Sequence, residues 1–463
     1  MQSLKVLGCS TSWISACLYL RLLSPLRAVG GQLETDLSDL KQAVESCDLV
    51  FFNRQFPADE PEKYAAIVSL ARSADKPIVY ETDDLLIDLP KEHPEWRHYS
   101  SFKFRYVTAM LEANWVLVTN EPLKNAVKKY NENVLVIPNY LDDSMWNLKD
   151  LAVVPEASSD EAVIIGYMGT VTHANDLHSI EPVLVSLLNQ YAGKVKLKLW
   201  GVEPVGRLQE NKYVEHIANC PGEYNLFVPF FAKQKADIFV APLTQSHFNQ
   251  CKSFLKYLEY STLSVPGVYS RGTQYETVIT DGANGLLAGN LLEWHKQLSA
   301  LIEDRDLRVK IGRKAFEDVR TNWLLSSHVK EIREAFEIFR NQKRESLPDS
   351  NLVKLAKEAS EWAVALANAG DNQALSGDSF KNGSDVSDVQ HRREIEKMKQ
   401  RLLRLRAELT ASQRHAAGLD HLVQNLTQSW AWRVGKAVTG PARNLRQVIS
   451  KKRGKSIEIS RHV

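Results

Sequence analysis

The sequence predicts an α/β protein made of two doubly wound domains in series, followed by a helical coiled-coil extension. Three observations predict it. Short apolar runs alternate with helix-spaced segments from residue 4 to residue 137, and the same pattern restarts at 162 after a polar break. An apolar heptad begins at Ile395. The charge is split along the chain: residues 391–463 carry 17 Lys+Arg and 5 Asp+Glu, a net of +12. The remaining residues carry 41 and 51, a net of −10, so the total over 463 residues is only +2.

In the first domain, residues 1–150, strands are expected at 4–8, 48–52, 77–81, 115–118 and 133–137. Helices are expected at 13–27, 38–46, 61–74, 99–113 and 121–130, with Pro61 suited to a first helical turn. The strands are continuously apolar, as in a parallel sheet covered on both faces. Residues 151–161 read as a linker.

The second domain, 162–325, opens with a strand at 162–167 and a helix at 177–191. Strands follow in KVKLKLWG (194–201), NLFVPF (225–230) and ADIFVA (236–241). A helix at 253–262 precedes strands in VPGVYS (265–270) and GLLAG (285–289), then helices at 291–303 and 305–322. Two such Rossmann-like sheets in series imply a cleft lined by the carboxyl ends of their strands.

Closing helices at 327–342 and 352–368 fill the segment 326–369, and the Gly/Ser/Asp-rich 370–390 reads as a flexible linker. The coiled coil is assigned to 391–427, with Ile395, Leu402, Leu409, Ala416 and Val423 at a and Met398, Leu405, Ser412, Leu419 and Leu426 at d. Nine of these ten positions are apolar, which favours self-association over a lone helix packed on the body.

Composition narrows the function class. A hydrophobic share of 44% and a charged share of 25% exclude a collagen, a disulfide-dense scaffold and a wholly disordered chain. Five scattered cysteines with no CxxC pair argue against a zinc site and fit a reducing cytosol. No run of 18 apolar residues exists. Val6–Leu20 is interrupted by four hydroxyl residues and reads as strand and helix, not as a leader.

Three stretches carry chemistry. In FNQCKSFLKYLEYSTLSVPGVYS (248–270), a strand leads into a helix for which Ser253 is the expected N-cap. A helix N-terminus suits a diphosphate. Lys252 and Lys256, four apart, would neutralise its oxygens, and Glu259 would accept hydrogen bonds from ribose hydroxyls. A capped surface helix with an i,i+3 ion pair accounts for the same residues equally well. In GYMGTVTHAND (166–176), Gly166 and Gly169 permit close backbone approach where doubly wound sheets bind phosphates. The glycines do not match GxGxxG, and His173 and Asp176 fall at the expected cleft. Third, Asp83 and Asp84 follow a first-domain strand, with Arg54 after the preceding one. Such carboxylates serve as a base, bind a metal or cap a turn; no second acidic cluster completes a metal site.

Taken in order, IGYMGTVTHANDL, ADIFVAPL, FNQCKSFLKYLEYSTLSVPGVYS and YETVITDGANGLLAGN resemble the nucleotide-sugar half of a GT-B glycosyltransferase, near family 4. VYETDDLLIDLP, WVLVTNEPL and VIPNYLD resemble its first half, and the likeness covers roughly residues 1–343. It implies retaining transfer of a sugar from a nucleotide-sugar donor, with no metal and no cofactor. Glu259 matches the second glutamate of the family's E-x7-E motif, the ribose ligand, whereas Cys251 stands where the first is expected. The usual Arg/Lys pair after the Gly-rich strand is also absent, and Thr170, Thr172 and His173 stand near its place. The implied donor ligands are therefore Gly169, Thr170, Lys252, Ser253, Lys256 and Glu259, with Lys252, Asp84 and His173 as the catalytic candidates.

The tail, 428–463, is basic and amphipathic. Between 429 and 455 it holds eight Lys or Arg and no acidic residue, opened by Trp430 and Trp432. Aromatic and basic residues together suit an anionic membrane surface more than nucleic acid. SWAWRVGKAVTGPARNLR also resembles the tails of bacterial O-antigen glycosyltransferases. The expectation is a cytoplasmic enzyme at the inner face of a membrane. Its acceptor would be a glycan or lipid-linked glycan of lipopolysaccharide-type, cell-surface polysaccharide assembly. A catalytically silent scaffold organised by the coiled coil, and an epimerase of the same fold, are the rival readings.

Overall fold

The computed structural model describes residues 3–148, 162–341 and 351–361, with isolated helical positions from 363 to 411. The linker 370–390, almost all of the coiled coil 391–427 and the tail 428–463 lie outside the described residues.

The first sheet contains β1 (Lys5–Cys9), β2 (Gln32–Glu34), β3 (Leu49–Asn53), β4 (Ile78–Glu81), β5 (Trp115–Val118) and β6 (Val134–Val136). The second contains β7 (Val163–Met168), β8 (Val195–Trp200), β9 (Val214–Ile217), β10 (Ile238–Ala241), β11 (Gly267–Ser270) and β12 (Leu286–Ala288). Their orders are β2-β1-β3-β4-β5-β6 and β12-β11-β10-β7-β8-β9, with parallel pairing. Central strands such as LVFFN and IVYE are buried at every position, because helices cover both faces. The doubly wound expectation therefore holds in both halves.

Order reverses between β1 and β3 in the first sheet and between β7 and β10 in the second. Loops leaving those strands diverge to opposite faces and open a crevice at the carboxyl edge. The chain crosses between the halves where Leu141 and Leu324 form a parallel bridge, with Leu141 N–H on Trp323 O at 2.9 Å and Leu325 N–H on Leu141 O at 2.8 Å. Beyond it, helix Val329–Asn341 returns to the first sheet. Its Ile332, Phe336 and Phe339 pack with Val6, Phe51 and Val79.

Four local expectations are corrected. NLFVPF is not a strand: Tyr224–Phe231 is helical and buries Tyr224, Val228 and Phe231 at i, i+4, i+7 spacing in the core of the second sheet. Pro229 removes one N–H late in that short helix, where its loss is tolerable. Short strands β2 and β9 stand in the places the sequence left unassigned. The expected helix 13–27 is a composite of Ala16–Leu18, a π turn at Tyr19–Leu23 and Ser24–Ala28. Ser253 is not an N-cap, since the helix runs Leu255–Ser261 behind Phe254, which makes no side-chain cap.

The π turn places Arg21 under the first sheet's carboxyl edge. Its Nε donates to Glu81 Oε1 at 3.0 Å, and its NH groups donate to Ile137 O (2.7 Å), Val118 O (3.1 Å) and Asn139 Oδ1 (3.2 Å). Asn53 Nδ2 donates to Glu81 Oε2 at 2.6 Å, and Asn53 Oδ1 accepts from Ser10 Oγ at 3.2 Å. One guanidinium thus ties together the ends of β4, β5 and β6.

Candidate functional site

The second-domain part of the site is built on β7 and β10, the strands flanking the order reversal. β7 ends at Met168, and Gly169 and Thr170 lead into a 3-10 turn at Val171–His173 and helix Ala174–Ser179. Gly169 is tightly placed: a Cβ there would lie 3.0 Å from the Tyr167 ring, and a Cβ on Gly201 (φ +77°) would lie 2.7 Å from Gly169 O. Gly166 sits within β7, where a Cβ would meet the Phe239 ring at 2.8 Å, so it serves packing. After β10, helix His247–Gln250 is capped by Ser246, whose Oγ accepts from Asn249 N–H at 3.1 Å. Cys251, Lys252 and Ser253 then cross to helix Leu255–Ser261.

These turns bring the candidate groups together. His173 Nδ1 lies 3.1 Å from Asp176 Oδ2, and Lys256 Nζ lies 3.5 Å from His173 Nε2. Asp176 Oδ1 accepts from Thr244 N–H (2.9 Å), Thr244 Oγ1 (3.1 Å) and Asn249 Nδ2 (3.0 Å). Lys252 Nζ lies over the Phe248 ring, 4.6 Å from its centroid, and 3.9 Å from Asp84 Oδ1 of the first domain. Arg54, with φ +42°, pairs Asp83 and reaches Asp84 at 3.6 Å. Thr170 and Thr172 share a hydroxyl hydrogen bond of 2.7 Å at the exposed lip.

Amides of the first domain clasp the Cys251–Ser253 crossing. Asn120 Nδ2 donates to Cys251 O at 2.8 Å, and Asn139 Nδ2 donates to Ser253 Oγ at 3.1 Å. Cys251 itself is fully buried, and burial pushes its thiol up to about 12. The position matching the family's first glutamate therefore offers a neutral thiol inside the protein.

Burial sets the charge states. Lys256 is brought down to about 8, first by desolvation, partly offset by Glu259 and reinforced by Lys252. Glu259, 7% exposed, is pushed up to about 7 by desolvation against the pull of Lys256. Among the described residues its carboxylate has neither a hydrogen-bond nor an ion-pair partner. His173 is lowered to about 3 by desolvation and then by Lys256, so it is neutral. A pair of cations, a neutral imidazole and an unpartnered buried carboxylate suit a ligand carrying both anionic and hydroxyl groups.

The structure joins His173 to Lys256 and Lys252 to Asp84, while Gly169 and Thr170 stand on the loop after β7, Ser253 on the crossing and Glu259 buried three residues beyond Lys256. Sequence reading assigned no role to Asn120, Asn139, Thr244 and Asn249. Asn120 is also the N-cap of helix Glu121–Val127, accepting from Leu123 N–H at 2.9 Å. Among the described residues no three His, Cys, Asp or Glu side chains gather as metal ligands would, and no helix is long and apolar enough to cross a membrane.

No protein-family model and no curated protein matches the chain. Among solved structures it is similar to Anabaena HepE, crystallised with UDP and glucose. That match has 15% identity and a TM-score of 0.51, covering 73% of this chain and 100% of that one. It is also similar to a glycosyltransferase from Rickettsia africae, at 11% identity and a TM-score of 0.52, covering 74% and 100%. At such identities the likeness establishes the fold, the two-domain GT-B architecture expected from the sequence.

Proposed function

We propose that this chain is a glycosyltransferase that moves a sugar, with retention, from a nucleotide-sugar donor to a glycan or lipid-linked acceptor. The observation that carries the reading is Glu259, a buried carboxylate without a hydrogen-bond or ion-pair partner among the described residues, set beside two lysines at the order reversal of the second sheet. Ribose hydroxyls supply the donors Glu259 lacks. Lys252 and Lys256 meet the diphosphate, with Gly169, Thr170 and Ser253 along its path.

The chemistry follows from the leaving group. As the anomeric C–O bond breaks, negative charge grows on the departing phosphate oxygen, and fixed cations lower that barrier. The acceptor oxygen bonds to the same face of the sugar, and its proton passes to the leaving phosphate. Asp84, in the first domain and 3.9 Å from Lys252, would orient the acceptor hydroxyl. No step calls for a metal. The basic tail supports a place at the inner face of an anionic membrane, hence an acceptor of cell-surface polysaccharide assembly. Deleting residues 391–463 should then abolish binding to anionic vesicles; retained binding would remove the membrane part of the reading.

A thermal-shift panel of nucleotide sugars, with UDP-sugars first because HepE was crystallised with UDP and glucose, tests the donor. At a hundredfold excess over Kd the right donor stabilises by about 2.7 kcal/mol. No shift with any member would overturn the reading. One observation favours a silent scaffold as second reading: Cys251 buries a thiol where the family places a glutamate. Donor binding without transfer or hydrolysis would select it, and a changed sugar without acceptor would select an epimerase.

A further inference from the structure

Asp176 was read in sequence only as a polar group at the cleft, yet the structure makes it the most heavily hydrogen-bonded carboxylate of the site. Its two oxygens have different duties. Oδ1 gathers three donors: Thr244 N–H, Thr244 Oγ1 and Asn249 Nδ2. Among the described residues Oδ2 meets His173 Nδ1 alone, at 3.1 Å. Asp176 is 5% exposed. Burial alone would raise its carboxyl, but the His173 and Thr244 hydrogen bonds and the nearby Lys252 hold it below the ordinary range.

An ionised carboxylate only accepts hydrogen bonds, so the proton between Oδ2 and the ring belongs to His173 Nδ1. A neutral imidazole protonated at Nδ1 has a bare lone pair at Nε2. That nitrogen lies 3.5 Å from Lys256 Nζ, which has only protons to offer. The chain Asp176–His173–Lys256 is therefore polar in one direction. Each member fixes the orientation of the next, and the last is an ammonium standing in the crevice.

We propose that Asp176 is a positioning residue that locks His173 in the Nδ1–H tautomer, so that Nε2 holds the Lys256 ammonium where a donor diphosphate is met. The proposal deepens the glycosyltransferase reading and rests on it for the identity of the ligand; the tautomer itself does not. It also accounts for a departure noted in the sequence. Where the family carries a basic pair after the Gly-rich strand, this chain carries a neutral ring that steadies a lysine from the next helix.

Asp176→Asn is the informative substitution. Three donors converge on Oδ1, so the asparagine oxygen stays there and its Nδ2 turns toward His173. That amide donates, so Nδ1 must accept and the ring proton moves to Nε2. An N–H then faces the Lys256 ammonium and displaces it. The full chain, labelled with 15N-histidine, reports the tautomer directly, with the His173 signals assigned by their loss in His173→Gln. The wild-type ring should be protonated at Nδ1 and bare at Nε2, and Asp176→Asn should reverse this. With the donor found by thermal shift, kcat/KM should fall by roughly tenfold to a hundredfold in Asp176→Asn, as for loss of an orienting outer partner. A wild-type ring protonated at Nε2, or at both nitrogens at neutral pH, overturns the proposal even if the variant does not fold. A variant that keeps the wild-type tautomer, or reverses it with kcat/KM unchanged, overturns it as well. If no nucleotide sugar binds the wild-type protein, the glycosyltransferase reading fails while the tautomer measurement still decides the hydrogen-bond chain.

Discussion

The two sheets present their carboxyl edges to the same crevice, and they handle charge in opposite ways. In the first domain Arg21 has Glu81 and four backbone or amide oxygens as partners, and Arg54 has Asp83 and Asp84. In the second domain Lys256 has a neutral imidazole, Glu259 has no hydrogen-bond or ion-pair partner among the described residues, and Lys252 meets Asp84 of the other domain at 3.9 Å. A closed set of partners makes a scaffold, because nothing is gained by opening it. An open set costs stability until something fills it, which is the signature of a binding site. The comparison predicts that first-edge substitutions act on folding and second-edge substitutions act on the ligand.

The largest effect should come from the first edge. Arg21→Ala leaves the buried Glu81 carboxylate with no paired cation and only the Asn53 amide, and takes the guanidinium donor from Ile137 O. Losing one partner of a buried pair costs about 3–5 kcal/mol. Denaturant unfolding should show this loss in the donor-free protein, while the apolar pair Arg21→Met with Glu81→Leu should recover much of it. If Arg21→Ala kept wild-type stability, the closed edge would not be a scaffold. Next in size is Lys252→Ala on the second edge. Removing one strong donor from a developing phosphate charge should lower turnover more than tenfold, at least about 1.4 kcal/mol of barrier. Folding should be little changed, since among the described residues Lys252 has only the long Asp84 ion pair and the Phe248 ring to lose. An unchanged rate in a sugar-transfer assay would sink its assigned role.

The contrast also explains what could be read from sequence. The two sheets were legible because each buried strand announces itself as an apolar run, and the candidate donor-side residues were drawn from two segments, 166–176 and 248–270. Helix Tyr224–Phe231 was misread because its run is apolar on nearly every side, where the two-residue and 3.6-residue periods cannot be told apart. The Arg21 network was invisible for another reason. Its partners lie 60 to 118 residues away, and nothing local to a π turn says that a buried arginine will find them. The asparagine clasp on Cys251 and Ser253 is hidden likewise, since Asn120 and Asn139 lie more than a hundred residues from the segment they hold.

The smallest expected effect is the sharpest test of the open edge, because it changes stability and binding in opposite senses. Glu259 is raised from its ordinary value to about 7. The folded, donor-free protein thus binds a proton there more readily than the unfolded chain. The associated stability is fully present below the usual glutamate range and is lost as pH rises through about 7. Lys256 is lowered to about 8, so its contribution runs the other way: the folded state gains stability as pH rises from about 8 toward the ordinary lysine range. A donor reverses these preferences, since ribose hydroxyls favour the Glu259 carboxylate and phosphate favours the Lys256 ammonium. Donor affinity should therefore peak between about pH 7 and pH 8, falling below as Glu259 protonates and above as Lys256 loses its proton, with the two titrating as a linked pair. Glu259→Gln should remove the acid limb alone, weaken donor binding, and raise the donor-free melting temperature at pH 8 by roughly 2 °C. A variant that loses stability instead would mean that Glu259 has a partner in the folded protein, and the open edge would be as closed as the first.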